Sequence, residues 1–105
     1  MSNPFLKFQT KSQKLKIKSL ANSEVEVREP TVAEVAEFYK AITDDKGQFV
    51  ASKFFEAKVK RVSDCMVTPK MAVDELLALS AESNEAINEV YEAIEAMVNK
   101  EKKGN

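Results

Sequence analysis

The chain has 105 residues, 31% of them charged and 44% hydrophobic, and a net charge of −1. This balance fits one soluble domain with a single core and excludes both a disordered chain and two independent domains. No apolar run approaches the ~20 residues of a bilayer span. Lys7, Lys11 and Lys14 interrupt any secretory apolar stretch, and the lone Cys65 has no partner for an internal disulfide. Both features predict a cytoplasmic, non-secreted protein.

The charge is unevenly spread. Residues 1–23 hold Lys7, Lys11, Lys14, Lys16 and Lys18 with no acid, giving +5; residues 24–105 hold 11 basic and 17 acidic residues, giving −6. Such a basic arm is either a polyanion-binding footprint or the solvent face of a strand. In Lys14-Leu15-Lys16-Ile17-Lys18 the lysines alternate with apolar residues, as on a half-buried strand. A second alternating stretch carries Val25 and Val27 between Glu24, Glu26 and Arg28, with Glu29 following. An antiparallel pair joined through Ser19 to Ser23 places lysines opposite glutamates, each pair contributing ~0.2–1 kcal/mol.

Pro30 ends the second strand, because its nitrogen cannot donate to a ladder. Thr31 and Glu34 then have the spacing of a capping box, which predicts a helix from Thr31 to Thr43. Asp44-Asp45-Lys46-Gly47 has turn chemistry, with Gly47 suited to positive φ. A second helix is expected from Gln48 to Met66, with a stripe of Ala51, Phe55, Val59, Val62 and Met66. Val50, Phe54 and Ala57 widen that stripe, which suits either a central helix or a partner groove. Thr68-Pro69 reads as a further helix start, with Met71, Val73, Leu76, Leu77 and Leu79 following over about three turns.

Ser80 to Asn84 reads as a break. The last helix, Asn84 to Lys100, has the cleanest period: Ile87, Val90, Tyr91, Ile94, Met97 and Val98. Lys100, Lys102 and Lys103 complement its dipole, and Gly104-Asn105 stops it. Glu85, Glu89, Glu92 and Glu95 share an outer face without a lysine, although like charges at these spacings are mildly unfavourable. That face is either a solvated surface or an acidic docking surface for a basic partner.

For chemistry, the missing residues matter most. Without histidine the commonest general base and metal ligand are both lacking. Cys65 reads as a small core residue. The only glycines, Gly47 and Gly104, make no phosphate loop, and the carboxylates lack calcium-loop spacing. The expectation is no enzyme, no cofactor and no metal. The only arginines are Arg28 and Arg61, which makes nucleic-acid binding a weak expectation.

The segment Val25-Glu26-Val27-Arg28-Glu29-Pro30-Thr31-Val32-Ala33-Glu34, with the acidic amphipathic helix after it, resembles the N-terminal part of tail assembly chaperones of long-tailed bacteriophages and prophages. The resemblance covers about a fifth of the chain. It implies a non-enzymatic protein of the bacterial host cytoplasm that binds the apolar, helical tape measure protein and helps recruit tail tube subunits. It also implies a longer product made by a −1 ribosomal frameshift, for which Glu101-Lys102-Lys103 permits an A-rich coding sequence. Flexible methionines and aromatics suit the covering of apolar helices. The candidate partner-contacting residues are therefore Phe54, Phe55, Met66, Met71, Tyr91 and Met97.

The expected architecture is α+β, a two-stranded antiparallel hairpin packed on a bundle of about four helices. Residues 1–105 form one domain: 1–29 the arm and hairpin, 30–100 the helical region, 101–105 a short tail. Self-association is open, since the stripe of the last helix serves a core or a seam equally well. Two other functions stay open, another small phage adaptor of the head-tail joining type and a nucleic-acid-binding regulator using the lysine-rich hairpin.

Overall fold

The computed structural model describes residues 3–103, with side chains through residue 99. It is an α+β fold in which a three-stranded antiparallel sheet packs against four helices. After a short 3-10 turn at Pro4–Phe8, β1 (Ser12–Ile17) and β2 (Ser23–Arg28) form the expected hairpin. Its register sets Lys14 opposite Glu26 and Lys16 opposite Glu24, as the alternation predicts. No ion pair closes between these side chains among the described residues; Glu26 instead accepts from the Ser12 hydroxyl at 3.0 Å. The strands turn through a 3-10 segment, Lys18–Leu20, followed by Ala21 and Asn22 at φ 55° and 63°.

The sheet has one strand more than the period of the sequence predicts. Met66–Thr68 (β3) leaves the second helix and pairs antiparallel with β2, Val27 opposite Met66. The physical cause is local and tertiary at once. Pro69 drives Thr68 out of the α region, and the free edge of β2 takes up the extended residues. Thr68-Pro69 is accordingly no helix start: its peptide is cis, and the next helix begins only at Val73.

The first helix, α1 (Val32–Ala41), starts on the expected capping box. Thr31 accepts from the Glu34 amide at 3.1 Å, and Glu34 accepts from the Thr31 amide at 2.9 Å. It stops two residues before Thr43, which instead bridges to Phe49 across the turn. In that turn Asp44 Oδ1 accepts from the amides of Lys46 and Gln48, and Gly47 has φ 77°. The second helix, α2, is Ala51–Cys65, shorter than expected at both ends. α3 is a single turn, Val73–Leu77, so of the apolar residues clustered there Leu76 is buried while Leu77 and Leu79 stay exposed. α4 runs from Asn84 to Lys103. The expected stop at Gly104-Asn105, and the side chains of Lys100, Lys102 and Lys103, lie outside the described residues.

One apolar cluster joins sheet and helices. Ile17, Val25 and Val27 from the hairpin meet Val59, Val62 and Cys65 of α2, Met66, Leu76, and Ala86, Ile87, Val90 and Ile94 of α4. α2 and α4 pack on each other, α4 runs along β1 and the hairpin turn, and α1 and α3 flank α2. Cys65 is the core residue expected, and burial pushes its thiol up to about 11.

α1 has no fully buried residue; it is held by the half-buried Phe38 and by polar contacts at its start. Arg28, at the end of β2, donates through a two-pronged fork to both oxygens of Glu34, each at 2.8 Å. The same guanidinium donates to the carbonyls of Glu29 at 2.9 Å and Asp64 at 2.7 Å. The Arg28 fork, followed by the Thr31 amide, holds the Glu34 carboxyl down at about 2, against an ordinary 4.5. A carboxyl depressed on folding stabilises the fold above its ordinary value and loses that contribution as the pH falls toward the folded one. The expected outcome is that thermal stability of the wild-type protein declines between pH ~4.5 and ~2 more steeply than that of Glu34→Gln, as melting curves across that range would report.

Candidate interaction surface

The apolar stripe predicted for α2 holds in its second half, where Val59, Val62 and Met66 are buried with Ala57, and fails in its first, where Ala51 and Phe55 are exposed; Lys58 and Arg61 are buried as well, beside Ser63 and Cys65. Two charges inside a small domain need partners, because an unpaired buried charge is costly. α4 supplies both. Asn88 accepts from the Lys58 ammonium, and Glu95 pairs with Arg61, whose side chain is 3% exposed.

This arrangement corrects the expected acidic face of α4. Glu95 points inward to Arg61, and Glu89 caps the hairpin turn. The Glu89 carboxylate accepts from the Ser19 hydroxyl at 2.6 Å and from the amides of Lys18 and Ser19 at 2.7 and 3.1 Å. Those bonds, the hydroxyl first, lower its pKa below the ordinary carboxylate value. Glu85 and Glu92 alone of the four remain exposed. The face that reads as unfavourable repulsion in the helix is thus half consumed by tertiary partners.

Over Arg61 lies a surface made of rings. Its guanidinium sits 4.4 Å from the Phe38 centroid, a cation–π contact strengthened by burial. Phe38 of α1 stands 6.3 Å from Phe54 and 6.2 Å from Tyr91; Phe54 meets Tyr91 edge-on at 5.8 Å and Phe49 at 6.1 Å. Tyr39 adjoins Phe38 at 6.3 Å. Phe38, Phe54 and Tyr91 are half-buried, and burial raises the Tyr91 phenol to about 12. Tyr39 and Phe49 are each 60% exposed. Beside them α1 and α2 enclose a cleft of about 310 Å³, its apolar part from Phe38, Ala41 and Ala57 and its charged walls from Glu34, Glu37, Lys40, Lys60 and Asp64.

The six expected partner-contacting residues fall into separate places. Phe54 and Tyr91 meet in the aromatic surface. Phe55 faces a different groove, formed with Leu76, Leu77, Leu79, Ser80 and Ile87, where the Lys58 ammonium stands 5.2 Å from its ring. Met97 lines a third hollow with Pro30, Val32, Val35, Ala36 and Val98. Met66 is a core residue in β3, 6% exposed, and Met71 packs half-buried against the core, its carbonyl accepting from Ser63. Phe38, Tyr39, Phe49 and Arg61 escape the sequence reading. Their one available signal is that aromatics cluster at Phe38-Tyr39, Phe49 and Phe54-Phe55 on either side of a turn.

Among the described residues no three or more Cys, Asp or Glu side chains gather as metal ligands, and no helix is long and apolar enough to cross a membrane. Compared with protein-family models, curated proteins and solved structures, the chain matches none.

Removing Glu95 leaves the Arg61 charge buried and unpaired, whereas removing Glu92 frees only a solvated carboxylate. Chemical denaturation should therefore find Glu95→Ala destabilised by about 3–5 kcal/mol and Glu92→Ala unchanged within ~0.5 kcal/mol.

Proposed function

We propose that this protein is a non-enzymatic phage tail assembly chaperone that binds the tape measure protein and helps recruit tail tube subunits. The observation that carries the reading is the aromatic surface of Tyr39, Phe38, Phe49, Phe54 and Tyr91, which leaves two large rings 60% exposed in a domain of this size. Aromatic rings are effective anchors for an apolar helix because they bring large contact area with few rotatable bonds to immobilise. The mixed charges of Glu37, Lys40, Lys60 and Asp64 along the cleft suit the polar flank of such a helix. The likeness of Val25 to Glu34 to the tail assembly chaperones supplies the identity of the partner.

Covering exposed apolar helix keeps it from aggregating, which is the physical work of a holding chaperone. Co-expression of the full chain with a tape measure fragment from the same genome should shift the fragment from the insoluble to the soluble fraction, bound to this protein. Tyr39→Ser with Phe49→Ser should weaken that capture by roughly tenfold or more while leaving the melting temperature nearly unchanged, since both rings are exposed. A fragment that stays insoluble beside the wild-type protein overturns the proposal.

A further inference from the structure

β1 is an open edge of the sheet, and its pairing parity says which of its residues face outward. The sheet order is β1-β2-β3, so β1 has no strand on its far side. In an antiparallel pair, directly opposed residues alternate between exchanging backbone hydrogen bonds and pointing those groups away. Glu29 donates its amide to the Lys11 carbonyl at 2.9 Å, which makes that opposed pair a bonding one. With Ser12 opposite Arg28 and each later pair in step, Gln13, Leu15 and Ile17 turn their backbone toward β2. Ser12, Lys14 and Lys16 therefore turn theirs outward. None of their N–H or C=O groups is taken by a hydrogen bond among the described residues, and all three residues are exposed.

Beyond Ile17 the edge is closed, because the Lys18 amide donates to the Glu89 carboxylate of α4 at 2.7 Å. The open stretch thus spans Ser12 to Lys16. The opposite edge of the sheet offers less. β3 has three residues and is followed by Pro69, which has no amide hydrogen.

The side chains of the open stretch carry a pattern. Lys14 and Lys16 lie on the outer face opposite Glu26 and Glu24, and neither lysine closes an ion pair among the described residues. Leu15 between them packs half-buried against the core on the other face. A strand laid antiparallel along the far side of β1 sets every second residue beside these lysines and the residues between them beside Leu15. Acids at the first positions complete a Glu-Lys-Glu row on the outer face. Apolar residues at the second positions lengthen the core face.

No strand of a second copy meets that requirement. Two β1 strands side by side oppose lysine to lysine, which guards an edge against its own kind. β2 is the only acidic strand, and it is enclosed between β1 and β3. β3 (Met66–Thr68) carries no acid.

We propose that the Ser12–Lys16 edge takes up an extended acidic segment of another protein as a fourth strand, its carboxylates set against Lys14 and Lys16. Main-chain hydrogen bonds at Ser12, Lys14 and Lys16 supply the attachment, and the alternation of acidic and apolar residues supplies the selection. The site shares no residue with the aromatic surface and stands whether or not that surface binds an apolar helix.

A capped peptide with the sequence of residues 23–28, Ser-Glu-Val-Glu-Val-Arg, serves as the probe, because this sequence already pairs with β1 from the other side. The readout is amide exchange with water in the full chain, followed by NMR as the peptide is raised to millimolar concentration. The expected result is slower exchange at Ser12, Lys14 and Lys16, with Gln13, Leu15 and Ile17 unchanged because they are bonded already. Lys14→Gln with Lys16→Gln should weaken peptide binding by roughly fivefold. Lys14→Pro loses an amide hydrogen that lies outside the β1–β2 ladder. It should bind roughly fivefold more weakly than Lys14→Gln alone. Circular dichroism verifies that the variants fold; if the proline variant does not, the alternation of exchange in the wild-type protein decides alone. A peptide that leaves exchange unchanged, or slows it evenly along the strand, overturns the proposal. Equal binding of the same residues in the order Glu-Glu-Val-Val-Arg-Ser overturns it too, since charge alone then accounts for the contact. So does slowing of the three outward amides in the peptide-free protein as its own concentration rises, which gives the edge to a second copy.

Discussion

The fork between Arg28 and Glu34 is the interaction on which the arrangement of elements depends. One guanidinium, at the end of β2, holds both oxygens of a carboxylate in the first turn of α1 and the Asp64 carbonyl in the last turn of α2. Bidentate pairing fixes orientation as well as distance, which a lysine in the same place would not do. No residue of α1 is fully buried, and that orientation acts together with the packing of Phe38 on Phe54, Tyr91 and Arg61 to set where Phe38 and Tyr39 lie. The aromatic surface therefore rests in part on a polar joint some distance from the rings themselves.

A second polar device works from the opposite side. α2 takes Lys58 and Arg61 into the domain, and α4 answers with Asn88 and Glu95. Buried charge pairs add little net stability compared with apolar packing, but they discriminate strongly between registers of two helices. Removing either acceptor would leave a buried cation without its partner. The register that satisfies them also sets Tyr91 against Phe38 and Phe54, and Glu89 against the hairpin turn. Apolar packing supplies cohesion here, and the polar pairs select one way of achieving it.

These constraints leave apolar surface outside the core in several places: the rings of Tyr39 and Phe49, the groove of Phe55, Leu77 and Leu79, the Phe5–Phe8 arm, and Val32 beside Met97. A domain of 105 residues has a small interior, so apolar residues beyond its capacity stay at the surface.

Local signals made the hairpin, its lysine-against-glutamate register, the Thr31–Glu34 capping box, the Gly47 turn and the α4 stripe legible, because each needs only neighbours within a few residues or a simple period. The α+β class follows from them. What escaped depended on distant partners. β3 exists because β2 offers a free edge; the burial of Lys58 and Arg61 in α2 is met by Asn88 and Glu95 some thirty residues on; the acidic row of α4 divides between Arg61, the hairpin turn and water. Of the candidate contact residues, Phe54 and Tyr91 were found by type, but their meeting with Phe38 and Phe49 was not, and Met66 went to the core. By itself the sequence determined the elements and their polarity, since propensity, caps and alternation act locally. Which apolar residues stay outside was decided only by tertiary structure, because burial is a competition for a limited interior that no single segment can settle.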